Sequence, residues 1–80
     1  MNLEFILEKY PDQTILKADG FDDAILGIDK SSMRLIYSIA QCIDILMENM
    51  SYEDAKEHLY YNITDCYVGE QTPIWCDDID

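Results

Sequence analysis

The side chains that could do chemistry in this chain are few: one histidine, His58, three cysteines, and a crowd of carboxylates. His58 lies beside Glu57 and before Tyr60 and Tyr61. A lone histidine in such a setting can act as a general base, but on a helix it is more commonly a surface or boundary residue. Cys42, Cys66 and Cys76, taken with His58, are the right ligand types for zinc. Structural zinc sites are built from close pairs such as C-x-x-C, however, and every spacing here is long. Cys42 also falls on an apolar helical stripe, where a thiol behaves as a small hydrophobe. Asp19-Gly20-Phe21-Asp22-Asp23 crowds carboxylates around a glycine turn. In the register of a calcium loop opened by Asp19, Phe21 takes the third position, Ala24 the turn glycine, and Lys30 the bidentate glutamate. The loop therefore fails as an EF-hand and reads as a turn followed by solvated acids. No Walker sequence, dinucleotide fingerprint, nucleophile elbow or paired-histidine zinc motif occurs. The expectation is a non-enzyme without cofactor or bound metal.

The elements that would position these groups follow from periodicity. Residues 2–9 place Leu3, Ile6 and Leu7 at helical spacing, with Asn2 as a cap and Pro11 as a stop. Thr14–Lys17 is β-prone and runs into the Ala18-Asp19-Gly20 turn. Residues 21–28 suit either a helical turn or a buried strand, and the strand is preferred. Met33–Tyr37 pairs back on it as the second arm of a hairpin, with Arg34 on the wet face. Ile39, Cys42, Ile43, Leu46, Met47 and Met50 then mark one face of a helix capped by Ser38. Ser51 opens another helix with Glu53 and Asp54 in its first turn, and with Tyr52, Ala55, Leu59 and Ile63 as its buried stripe. Tyr67-Val68-Gly69-Glu70 reads as a turn, and Pro73–Cys76 as a short edge strand. The expected fold is a single α+β domain over 1–80: a short N-terminal helix, two to four short antiparallel strands, and a pair of helices packed on one face.

Charge sets the function class. Seventeen Asp and Glu against five Lys and Arg give a formal net charge of -12, while 49% of the residues are apolar. A chain so apolar folds rather than staying a disordered acidic tail, so the acidity sits on a folded body. Lys9, Lys17, Lys30, Arg34 and Lys56 are scattered. Direct binding to nucleic acid or to an anionic membrane is thereby disfavoured. Residues 39–63 have the outline of a helix-turn-helix, but a recognition helix carrying Glu53, Asp54 and Glu57 would meet phosphates with like charge. No secretory leader or apolar run long enough to span a bilayer is visible, and the odd cysteine count fits a reducing cytoplasm.

Such a surface suits a protein partner with a basic surface, including a nucleic-acid-binding protein whose groove rows of carboxylates could occupy by mimicry. The candidate contacts are Asp44 and Glu48 on the first of the paired helices, Glu53, Asp54, Glu57 and Tyr61 on the second, Tyr67 and Glu70 in the following loop, and Asp77, Asp78 and Asp80 at the end. The alternatives are a structural protein acting through self-association, with the charge only maintaining solubility, and a metal- or small-ligand-binding module.

The segments Asp19-Gly20-Phe21-Asp22-x-Ala24-Ile25-x-Gly27, Arg34–Ser38, Met50–Ala55 and Tyr67-Val68-Gly69-Glu70-x-Thr72-Pro73-Ile74 carry a resemblance. Over roughly residues 18–76 the chain resembles small acidic proteins encoded by tailed bacteriophages. None of these segments is a catalytic motif. The resemblance implies a setting, the cytoplasm of an infected bacterium, and a role in binding and inhibiting or redirecting a host or defence protein.

Overall fold

The computed structural model describes residues 3–64 and 69–78, the side chains of Asn62 and Thr64 excepted. Its order is α1 (Leu3–Lys9), a 3-10 turn (Asp22–Ala24), β1 (Ile25–Asp29), β2 (Arg34–Ser38), α2 (Ile39–Leu46), α3 (Tyr52–Leu59), a π turn (Tyr60–Thr64) and β3 (Ile74–Cys76). The arrangement is α+β, as the hydrophobic pattern predicts.

β1 and β2 form an antiparallel hairpin with Asp29 opposite Arg34 and a bulge between Ile25 and Gly27. The turn between them is built by Asp29. Its carboxylate accepts from the Ser31 amide (3.3 Å), the Ser31 hydroxyl (3.1 Å) and the Ser32 hydroxyl (2.7 Å). Met33, with φ of 57°, takes the left-handed position that reverses the chain. The expected strand over residues 21–28 begins only at Ile25, because Asp22–Ala24 coil into a 3-10 turn.

The sheet order is β1-β2-β3 with β2 in the centre, and β3 runs parallel to β2, so the all-antiparallel expectation is corrected to a mixed sheet. The reason is topological. β2 passes directly into α2, and the α2–α3 pair carries the chain back to the end of the sheet where β2 began, so the next strand enters in the same direction. β3 holds an edge, as Pro73 suggests.

The β-prone Thr14–Lys17 segment forms no strand. Its surroundings are satisfied by side chains instead: the Ala18 amide donates to the Tyr37 hydroxyl (2.8 Å). With its amide nitrogen facing them, Gln71 donates to the carbonyls of Thr14 (3.2 Å) and Met33 (3.0 Å). Backbone groups so met have no need of a ladder.

The buried apolar core is Ile6, Phe21, Ala24, Ile25, Leu35, Tyr37, Ile39, Cys42, Ile43, Ala55 and Leu59. Three members of the expected stripes are exposed. Leu7 is exposed because the short α1 turns only Ile6 fully inward. Met47 is exposed because α2 ends at Leu46, before the stripe that runs on to Met50 is complete. Tyr52 is exposed as the first residue of α3. Arg34, expected on the wet face, is half-buried and donates through Nε to the Thr72 carbonyl (2.5 Å).

Candidate functional site

α3 is the element whose local chemistry shapes the surface. Ser51 caps it by accepting from the Asp54 amide (3.2 Å), and Glu53 and Asp54 stand in the first turn, where the helix dipole favours negative charge. Ala55 and Leu59 are buried beneath. Asp54, Glu57, His58 and Tyr61 follow the spacing i, i+3, i+4, i+7, which puts them along one outward stripe. They line an open recess of about 320 Å³. Tyr61 is 73% exposed, an unusual setting for a large aromatic ring. Glu53 is exposed on the same helix but does not line the recess.

The other candidates are placed apart. Asp44 is exposed on α2, whereas Glu48 stands in the turn after that helix rather than on it. Glu70 is exposed in a turn closed by Thr72, whose amide (3.2 Å) and hydroxyl (2.6 Å) both donate to the Gly69 carbonyl. Asp77 is exposed beyond β3. Tyr67 and Asp80 lie outside the described residues.

Asp78 has a structural occupation. One of its carboxylate oxygens accepts from the buried Ser38 hydroxyl (2.5 Å) and the other from the Ala40 amide (2.9 Å), while Ser38 itself accepts from the Gln41 amide (3.0 Å). Two of the amides that begin α2 without intrahelical partners are thus met by two side chains, one local and one from the far end of the chain. The Ser38 hydroxyl, and then the Ala40 amide, hold the Asp78 carboxyl below its ordinary value.

Among the described residues, no group of three or more His, Cys, Asp or Glu side chains is arranged to hold a metal ion. Cys42 is fully buried, and burial, then the charge of Asp78, pushes its thiol up to about 12. It is a packing residue without nucleophilic character at neutral pH. No helix among the described residues is long and apolar enough to cross a membrane.

Sequence reasoning named three of the four recess residues as partner contacts and read His58 as a surface or boundary residue without placing it among them. The signal was present, since His58 is the i+4 neighbour of Asp54 on an element already read as helical. The seat of Asp78 on Ser38 carried no such local sign. Compared with models of known families, with curated proteins and with solved structures, the chain matches none.

Proposed function

We propose that this chain is a cytoplasmic interaction protein that presents the acidic face of α3 to a protein partner with a basic surface. In the infected-cell setting that its segments resemble, such binding inhibits or redirects a host or defence protein, with a nucleic-acid-binding protein as the favoured partner class. The carrying observation is the recess in which an exposed tyrosine ring stands beside two carboxylates. An arginine or lysine entering it meets opposite charge on Asp54 and Glu57 and a π-face on Tyr61, and both attractions favour a cation over an anion. Glu53, Asp44 and Glu48 extend the negative field that draws such a partner in.

The test is capture from bacterial lysate with the tagged protein at low and high salt, alongside two variants. Pairing through exposed charges weakens steeply once the Debye length falls to about 3 Å near 1 M salt. The expected result is a partner retained at low salt, released at high salt, and lost in Asp54→Asn/Glu57→Gln and in Tyr61→Ala. A partner held equally by wild type and both variants at either salt would refute the assignment to this face.

A further inference from the structure

We propose that residues 74–78 form a releasable strap, latched at its far end by Asp78 onto the start of α2, which leaves the sheet while the rest of the fold stays intact. The observations behind it are independent of the recess on α3. β3 is three residues long and, among the described residues, occupies a sheet edge and pairs with β2 alone. Among the described residues the fully buried apolar side chains of the core lie between Ile6 and Leu59, and the strap adds to them one partly buried side chain, Trp75, packed against their outside.

The strap is held differently at its two ends. At the entry, Arg34 grips the Thr72 carbonyl and Pro73 is buried, which makes a fixed hinge. At the exit, the carboxylate of Asp78 holds Ser38 and Ala40 from a position next to solvent. Between them Trp75 lies against Tyr37 with ring centroids 5.0 Å apart, but its indole Nε1 is buried with no hydrogen-bond partner among the described residues. Partial openings of this kind occur where few core contacts are broken. The depressed Asp78 carboxyl agrees with a latch that depends on its charge. Release turns a seated carboxylate into one free to meet a cation, and uncovers the edge of β2 at Ile36–Ser38.

Native-state hydrogen exchange on the wild-type chain decides the matter, because the Ala40 amide is protected by Asp78 and reports the latch directly. Ala40 and the β3 amides bonded to β2 are expected to exchange together, through an opening at least about tenfold more frequent than that exposing Ile43 and Leu59. Asp78→Ala is expected to speed the strap group by about fivefold and Ile43 and Leu59 by no more than the same factor, so that the two openings stay separate. One common opening for all these amides in the wild type would overturn the proposal, whether or not the variant folds.

Discussion

Replacing Ser38 by alanine removes two hydrogen bonds at once from a side chain with no exposure to solvent. Loss of the cap on the Gln41 amide costs about 1 kcal/mol. The bond to Asp78 is charge-assisted, but the carboxylate stands largely in water, so screening reduces its share to about 1 kcal/mol. The sum near neutral pH is about 2 kcal/mol, which for a domain of this size lowers Tm by roughly 8–16 °C. The two parts separate with pH. Asp78 is held below its ordinary carboxylate value in the folded chain, chiefly by Ser38. Its contribution is therefore full above the unfolded carboxylate value, about 3.9, and is lost as pH falls through the lower folded value. The Gln41 cap does not titrate. Urea unfolding of wild type and Ser38→Ala, followed through the single tryptophan and by far-UV circular dichroism, should show a deficit of about 2 kcal/mol at pH 7 that narrows to about 1 kcal/mol in acid, once pH has fallen through the lowered Asp78 value. An equal deficit at both pH values would refute the coupling of Ser38 to Asp78, and a deficit under about 0.5 kcal/mol would refute the cap itself.

Tyr37→Phe strands the Ala18 amide, which now donates to the tyrosine hydroxyl, and should cost about 1 kcal/mol by chemical denaturation. Burial raises the Tyr37 phenol above its ordinary 10, so its contribution holds below pH 10 and fades at higher pH; in the phenylalanine variant that part of the alkaline decline should vanish. In a Cys66→Ser background, a thiol reagent should modify half-buried Cys76 first and reach Cys42 only as denaturant unfolds the chain, because the Cys42 thiol is fully buried and pushed up to about 12. Glu57→Gln removes the i,i+4 like-charge pair with Glu53 while leaving the acids of the first turn of α3 in place, and should raise stability by roughly 0.3 kcal/mol, read as a small increase in Tm, even as it weakens capture of a basic partner.

What the amino-acid pattern reveals here is what short-range physics decides. Ser38 and Ser51 cap the two helices as read, since a serine before an amphipathic run competes only for amides three residues away. The hairpin is equally local. The direction of β3 is not, because it depends on where two helices return the chain, and β-propensity at Thr14–Lys17 says nothing of whether a sheet edge is there to receive it. Helix ends misplace side chains for a similar reason: Met47 and Tyr52 satisfy the spacing of their stripes, yet they sit where α2 has stopped and α3 has barely begun.

The acidic excess has the same divided origin, and separating its parts narrows where a partner must be sought. Asp29 spends its carboxylate on the serines of the hairpin turn, which hold it below its usual value. Asp78 serves the start of α2, and Glu53 and Asp54 favour the start of α3 through its dipole. Acids placed by the needs of the backbone would be present whether or not anything binds. Glu57 stands at mid-helix, past the turn where the dipole rewards it, beside an exposed Tyr61 that folding does not use. Its like-charge neighbour Glu53 makes it a mild liability to the isolated chain. A residue that the fold neither needs nor favours, kept next to an unburied aromatic ring, is the expected mark of a surface shaped by what it meets. Glu57 and Tyr61 are for that reason the first pair to change when the partner is looked for.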